Sequence, residues 1–213
     1  MTTAPRLHVV TDDSILARDG WASLAAAVLE AGRGGLALHI RGPATDGVTV
    51  FDLTARLLPE ARRSGAWLIV NDRVDVALTT DADGVHLGAR SLSVRHARGV
   101  LGENKRIGVS AHCAREVGRA RREGADYAFM GTIYPTPSHE GLPGMGVGGF
   151  RDAVEHVRGL PLLGIGGIGV EQVAPLMSVG ASGVAVMRGV WDHPNPPAAA
   201  AEYLDTIEEV TDE

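Results

Sequence analysis

The segment "AWLIVNDRVDVALTTDADGVHL", residues 66–87, contains the repeating unit that decides the fold. It begins with five apolar residues, passes through polar residues into a segment with helical spacing, turns at Asp83 and Gly84, and ends in a second short apolar segment. A strand, a helix and a second strand in this order are typical of parallel βα units. The near-continuous apolar character of both strand segments fits strands that are buried on both faces.

The same unit recurs along the whole chain. The predicted strands are "LHVVT" from Leu7, "LALHI" from Leu36, "AWLIV" from Ala66, "DGVHL" from Asp83, "RIGVS" from Arg106, "DYAFM" from Asp126, "PLLGI" from Pro161 and "GVAVM" from Gly183. The helices are predicted at residues 21–31, 48–63, 73–80, 94–101, 114–123, 149–157, 170–179 and 198–209. Eight such units predict a single-domain (β/α)₈ TIM barrel over residues 1–213. The alternative, a doubly wound open sheet, should carry a glycine cluster after the first strand, and "VVTDDSILARDG" has none.

Composition limits the classes of partner. The 213 residues include 20 Lys and Arg against 26 Asp and Glu, a net charge of −6, and the basic residues are scattered, so we expect neither nucleic-acid nor membrane partners. No apolar run approaches the roughly 20 residues of a membrane span. One cysteine, Cys113, cannot form an intrachain disulfide, and the N-terminus lacks the pattern of a secretory signal. A cytoplasmic protein is expected, and a homo-oligomer is left open.

Polar residues follow most of the predicted strands. In a TIM barrel the functional groups collect at the C-terminal strand ends. The residues found there are Thr11, Asp12, Arg41, Asn71, Asp72, His86, Ser110, His112 and Arg188. Asp72 is either a metal or ammonium partner or the cap of the helix that begins at Arg73. His86 is either a core histidine or a catalytic one.

Glycines mark the ends of the seventh and eighth strands. "GIGGIG" from Gly164 and "GVAVMRG" from Gly183 place small residues beside the start of a helix, where many barrels hold a phosphate. The alternative is that these glycines only make a tight turn. The phosphate-binding candidates are Gly166, Gly167, Val186, Met187 and Arg188.

The loop after the sixth strand, "GTIYPTPSHEGLPGMG" at residues 131–146, contains four glycines, three prolines and one histidine. A long loop without secondary structure inside a compact domain is uncommon unless it binds a ligand or covers a site. Because it follows a strand at the barrel mouth, we interpret it as a substrate cover whose polar groups are Thr136, Ser138 and His139.

Taken together, "LHVVTD", "LIVNDRVDVAL", "DGVHLG", "IGVSAH", "GADYAFMGTIYPTPS", "GIGGI" and "GVAVMRGV" resemble the thiamine phosphate synthase and TenI family in order and spacing. The resemblance runs from Leu7 to about Val190. It implies a (β/α)₈ barrel that binds a thiazole phosphate. It also implies that the substrate-binding residues are His39, Arg41, Asn71, Ser110, Thr132, Thr136, Ser138 and His139, with Asn71, Ser138 and His139 as the catalytic candidates.

Departures from the synthase pattern affect the choice of activity. The synthase branch joins hydroxymethylpyrimidine diphosphate to the thiazole phosphate with Mg²⁺, but here Gly42 and Pro43 stand where Glu and Lys are expected. Ser91 stands in place of one of two magnesium-binding aspartates, so Asp72 is the one remaining metal candidate and Mg²⁺ the one candidate cofactor. His139 replaces a second lysine.

These losses favour the TenI branch. Stabilising a diphosphate leaving group calls for several cations, whereas the tautomerase reaction of the TenI branch is a proton transfer, for which His139 is suited because an imidazole gives and takes protons near neutral pH. The leading expectation is therefore a TenI-like thiazole tautomerase. The alternatives are a thiamine-phosphate synthase and a non-catalytic binder of thiazole or thiamine phosphates.

Overall fold

All eight predicted strands form in the computed structural model, which describes residues 4–136, 141 and 143–212. The strands are β1 (Leu7–Val10), β2 (Leu36–Ile40), β3 (Trp67–Asn71), β4 (Gly84–Leu87), β5 (Arg106–Ala111), β6 (Tyr127–Met130), β7 (Leu162–Ile165) and β8 (Gly183–Val186). Every neighbouring pair is parallel, and β8 pairs with β1 through Leu7 and Val184. The sheet is therefore a closed barrel in chain order, which confirms the predicted (β/α)₈ fold.

Helices surround the barrel. They are α1 (Asp13–Leu16), α2 (Trp21–Ala31), α3 (Gly47–Ser64), α4 (Val74–Thr80), α5 (Val94–Leu101), α6 (Ala114–Glu123), α7 (Gly146–His156), α8 (Val173–Met177), α9 (Arg188–Trp191) and α10 (Pro196–Asp212). Among these described helices, none combines the length and hydropathy that a bilayer crossing needs.

Three details of the helices differ from the sequence prediction. The short helices α1 and α9 were not predicted, and the helix expected at 170–179 is divided into a 3₁₀ turn (Val170–Gln172) and α8. Pro175 agrees with the division, because proline is tolerated best in the first turn of a helix, although α3 accommodates Pro59 in its interior. Starting the α-helix at Val173 leaves Pro175 in that first turn.

Local signals fix where the elements begin and end. The Asp46 side chain accepts hydrogen bonds from the backbone N–H groups of Val48 and Thr49, which caps α3. Gly65 ends the same helix in the left-handed conformation (φ 75°), which costs glycine little. The chain then reverses directly into β3.

The barrel interior is unusually polar. One apolar cluster in it consists of Val10, Tyr127, Phe129, Leu163 and Ala185, with Trp67 and Ile165 packed against them. Three imidazoles, those of His8, His39 and His86, fill much of the remaining space, and each is at most 1% exposed. Branched aliphatic side chains usually fill this position in TIM barrels, so the histidines set this interior apart.

Candidate active site

The end of β2 is held to β1 by a buried threonine. The Thr11 hydroxyl accepts a hydrogen bond from the Arg41 backbone N–H (2.8 Å) and lies within donating distance of the carbonyls of Arg41 (2.9 Å) and His39 (3.0 Å). This fixes the backbone of Arg41 at the rim of the barrel. The positive charge of Arg41 is one of the groups that lower the pKa of His86, after burial and the neighbouring histidines His39 and His8. The guanidinium therefore adds positive potential at the mouth.

Two of the predicted site residues meet inside the mouth. His39 is completely buried, and its Nδ1 lies 3.0 Å from Oδ1 of Asn71, which is half-buried at the end of β3. The Nε2 atom of His39 lies 2.8 Å from Nδ1 of His8. Both ring nitrogens of His39 are thus engaged within the protein, whereas Asn71 reaches the surface of the site.

A second buried histidine supports a second mouth residue. Nε2 of His86 lies 2.9 Å from the hydroxyl oxygen of Ser110, which is exposed at the end of β5. Directly after the same strand, His112 donates from Nδ1 to the carbonyl oxygen of Gly131, which follows the neighbouring strand β6 (2.8 Å). Ser110 and Asn71 therefore both present polar groups whose inner contacts are imidazoles.

Burial keeps the interior histidines neutral at physiological pH. It lowers the pKa of His39 to about 4. Burial, followed by repulsion from His39, holds the pKa of His8 well below its ordinary value. Burial is also the largest cause of the lowered pKa of His86. None of the three is positioned to supply a positive charge to a ligand.

Asp72 links two loops at the mouth. It adopts a positive φ of 63°, and its Oδ1 accepts hydrogen bonds from the Gly88 N–H (3.0 Å) and from the Ser91 hydroxyl. Helix α4 begins at Val74 with Arg73 as a cap residue that makes no side-chain capping bond. The alternative that Asp72 caps this helix is therefore wrong.

The Mg²⁺ prediction can be compared with the donors around Asp72. Within residues 4–136, 141 and 143–212, no group of three or more His, Cys, Asp or Glu side chains is placed to hold a metal ion. Ser91, at the position of the second expected carboxylate, donates to Asp72. One carboxylate and one hydroxyl fit Mg²⁺ only as partial ligands, since this ion is often held by one or two carboxylates together with substrate phosphates.

The turn after β7 requires glycine. A Cβ on Gly166 would lie 2.9 Å from Cγ2 of Thr132, and one on Gly167 would lie 2.6 Å from the carbonyl oxygen of Pro135. Both residues have positive φ, 101° and 65°. The N–H of Tyr134 donates to the Gly166 carbonyl (3.0 Å), so the turn is packed against the start of the loop after β6.

The end of β8 brings Val186, Met187 and Arg188 beside this turn in the barrel order. The Arg188 guanidinium is half-exposed and lies 3.3 Å from Asp12 and 3.6 Å from Asp192. An anion bound by Arg188 would have to compete with these carboxylates. The phosphate-binding role of these residues and of the glycine turn stays a prediction.

The loop after β6 returns to its own start. The N–H groups of Met145 and Gly146 donate to the carbonyls of Thr132 and Ile133, both at 2.9 Å. This brings the two ends of the loop together at the barrel mouth. Thr136 is half-buried at the edge of the described segment, whereas Ser138 and His139 lie outside the described residues, so their predicted roles are not tested.

With this geometry established, comparison with known proteins identifies the family. The family model for thiamine monophosphate synthase (TMP-TENI) matches residues 7–190. The chain belongs to the thiamine monophosphate synthase and TenI family. This confirms the resemblance predicted from the strand-end motifs, but the match does not separate the TenI branch from the synthase branch.

Relatives in this family are named as synthases. The chain is 40% identical over 203 residues to the thiamine-phosphate synthase of Chlorobium luteolum, covering 94% of this chain and 92% of that protein. It is 45% identical over 160 residues to the thiamine biosynthesis bifunctional protein ThiM/ThiE of Symbiobacterium thermophilum, covering 74% of this chain and 33% of that longer protein. The solved thiamine phosphate pyrophosphorylase from Pyrococcus furiosus superposes with a TM-score of 0.83 at 30% identity, covering 96% of both chains.

His8 was missed as a site-related residue. The strand "LHVVT" was predicted, but the inward direction of its second residue follows only once the barrel alternation is applied, which places His8 and Val10 inside and Leu7 and Val9 against the helices. The signal was therefore present in the sequence as a polar residue in an otherwise apolar strand.

Acid should destabilise this protein through its interior histidines. The pKa of His39 is lower in the folded state (about 4) than the ordinary value near 6.5, so the unfolded chain binds more protons between these values. The contribution of the neutral His39 to the free energy of unfolding is fully present above about pH 6.5 and is lost as the pH falls toward 4. By pH 5, His39 alone should account for a loss of about 2 kcal/mol. Urea denaturation of wild type and His39→Gln between pH 7 and pH 4 should show that the free energy of unfolding falls less steeply with pH in the variant. If it falls equally in both proteins, burial of a neutral His39 is not the cause of the acid sensitivity.

A second carboxylate should strengthen Mg²⁺ binding at Asp72. In Ser91→Asp, like charges about 4 Å apart would repel by about 1–4 kcal/mol without a cation, so the variant should melt at a lower temperature in a metal chelator. Added Mg²⁺ should raise its melting temperature more than that of wild type, because the ion binds only the folded site. Ser91→Asn is the control of matched size, and equal Mg²⁺-dependent shifts in the two variants would exclude Asp72 as a ligand.

Proposed function

We propose that this protein is a thiamine-phosphate synthase, which joins hydroxymethylpyrimidine diphosphate to a thiazole phosphate and releases pyrophosphate. The observation that carries the proposal is the near full-length similarity to proteins named as thiamine-phosphate synthases, at 40% identity over 94% of the chain. This favours the synthase over the TenI-like tautomerase that the sequence analysis put first. The comparisons give the tautomerase no support, and its predicted acid–base residue, His139, lies outside the described residues.

The proposed thiazole phosphate site is the turn at Gly166 and Gly167 together with Val186, Met187 and Arg188. Small residues at the end of β7 allow a phosphate to approach backbone N–H groups, as in many TIM barrels. The packing of Thr132 and Pro135 against the turn supports this assignment, because it connects the anion site to the loop that would cover the substrate. Thr132, Thr136, Ser138 and His139 are the proposed contacts from that loop.

The proposed pyrimidine diphosphate site lies on the opposite side of the mouth, at Arg41, Asn71, Asp72 and Ser110. The lysine missing at Pro43 would have neutralised the leaving group. Arg73 is the proposed replacement. Its guanidinium packs against Gly47, where a Cβ would lie 2.4 Å from Nη1, and it is paired with Asp75 (2.6 and 2.9 Å), so a diphosphate would have to compete with that carboxylate. Arg90 is a second cation, on the turn that Gly88 and Ser91 tie to Asp72.

Bound Mg²⁺ would neutralise charge on the diphosphate as pyrophosphate leaves. In this chain Asp72 and Ser91 are the groups proposed to hold it, with diphosphate oxygens completing the coordination. Arg41 and Arg73 would orient the same phosphates, and preorganised positive charge of this kind commonly supplies much of the rate enhancement. Asn71 and Ser110 would hold the pyrimidine ring at the barrel axis.

The test is a product assay with both substrates and Mg²⁺. Thiamine phosphate and pyrophosphate should form in equal amounts, and Arg41→Ala should lower kcat/KM by about 10²–10³-fold because it removes a charge from the leaving-group site. Arg95→Ala, on an exposed position of α5, is the control and should match wild type.

Folded protein that forms neither product would exclude the synthase. Isomerisation of a thiazole phosphate tautomer by that same protein would establish the tautomerase, and tight binding of thiamine phosphate without turnover would establish the non-catalytic alternative.

A further inference from the structure

A chain of hydrogen bonds runs through the interior of the barrel. Its members are the buried carbonyl of Pro5, His8, His39 and the side-chain amide of Asn71. Nε2 of His8 lies 3.2 Å from the Pro5 carbonyl oxygen, Nδ1 of His8 lies 2.8 Å from Nε2 of His39, and Nδ1 of His39 lies 3.0 Å from the Asn71 amide. Both imidazoles are 0% exposed, so these partners are the ones available to them.

The strand register places the members of this hydrogen-bonded series at successive levels along the barrel axis. Val10, two residues after His8, pairs with His39, and His39 pairs with Ile69, two residues before Asn71. Each member therefore lies one step closer to the C-terminal ends of the strands than the one before it. The hydrogen-bonded series thus runs from Pro5, just before β1, to the mouth of the barrel, where Asn71 is half-buried.

The Pro5 carbonyl, at the end of the series farthest from the mouth, determines which nitrogen of each histidine carries the hydrogen. A carbonyl oxygen only accepts, so Nε2 of His8 carries a hydrogen. A neutral imidazole has one N–H, so Nδ1 of His8 must accept, and Nε2 of His39 must donate to it. The remaining nitrogen of a neutral His39, Nδ1, then has no hydrogen and needs a donor.

Within the part of the chain that the structure describes, the NH₂ group of Asn71 is the one donor within hydrogen-bonding distance of this nitrogen. If Oδ1 of the amide faced His39, two acceptors would meet at 3.0 Å, unless His39 took a second proton and became a buried cation. A half-turn of the amide exchanges two groups of nearly the same shape, whose identity is assigned from their partners. With Nδ2 facing His39, every donor in the chain has an acceptor. The lowered pKa values of His8 and His39, both due mainly to burial, agree with two neutral rings.

We propose that His8 and His39 are positioning residues that hold the Asn71 amide with Nδ2 toward the barrel interior and Oδ1 toward the mouth. Asn71 then offers an acceptor to an N–H or O–H group of the ligand. Neither histidine touches the ligand, and both act through Asn71. The consequence for turnover rests on the proposed function, whereas the order of the protons does not.

The order of the protons can be measured on the wild-type protein by ¹⁵N–¹H correlation spectra of histidine side chains near neutral pH. His8 and His39 should each show a single tautomer with the proton on Nε2. A proton on Nδ1 of either ring, or on both nitrogens of His39, would overturn the proposal. This readout involves no substrate, so it decides the proposal even where the protein has no synthase activity.

Variants separate positioning from core packing. In His8→Leu, Nε2 of His39 loses its acceptor, so His39 should become a mixture of tautomers and kcat/KM for thiamine phosphate formation should fall at least tenfold. His8→Gln, which can accept from His39 and donate to Pro5, should restore a single tautomer and most of the activity. Val10→Ala, in the same interior, is the packing control and should change neither.

An unchanged His39 tautomer in a folded His8→Leu variant would contradict the positioning role. If Val10→Ala and His8→Leu have the same melting temperature and lose the same activity, the two histidines act only by packing the core, and the positioning role is wrong. If His8→Leu does not fold, the wild-type spectrum still decides between the two amide orientations.

Discussion

Closure of the barrel is the constraint on which the rest of this structure depends. The pairing of β8 with β1 leaves no strand edge, and alternate residues of every strand must point into one small enclosed volume. Three of those residues are histidines, and a buried polar group is costly unless it finds a hydrogen-bonding partner. His39 and His86 find partners at the mouth, in Asn71 and Ser110, and His8 bonds to His39 and to the Pro5 carbonyl. The interior packing thus fixes polar groups at the mouth, although among the described residues Nδ1 of His86 has no partner.

Most of the fold could be predicted because each βα unit carries its own local signals. Buried parallel strands are apolar throughout, and glycine at the end of a helix marks the next reversal, as Gly65 does. The short helices α1 and α9 were missed because four residues show no helical period, and Pro175 shortened α8. The contacts within the site were harder to predict from the sequence. Sequence identified Asn71 and Asp72 as neighbours, but the bond between Asp72 and Ser91 depends on two loops meeting in space, and the His8–His39 contact depends on register between strands.

The substitutions at the mouth bear on the proposed diphosphate site. Ser91 donates a hydrogen bond to Asp72 where the synthase pattern has a second carboxylate, so this pair of residues carries one negative charge instead of two. Arg73, which packs against Gly47, is the cation we propose in place of the lysine missing at Pro43, and its pairing with Asp75 is the contact that a diphosphate would have to displace. With one carboxylate at Asp72, we propose that a diphosphate would be held more by arginines than by the metal.

A crystal structure with thiamine phosphate bound tests the central claim most directly. The account predicts the phosphate within hydrogen-bonding distance of the backbone N–H groups of Gly166 and Gly167, with the pyrimidine ring beside Asn71 and Ser110. The groove outside the barrel lined by Arg115, Arg121 and Arg122, between α6 and α7, offers a competing cluster of positive charge. A ligand bound in that groove, with the barrel mouth empty, would contradict the account.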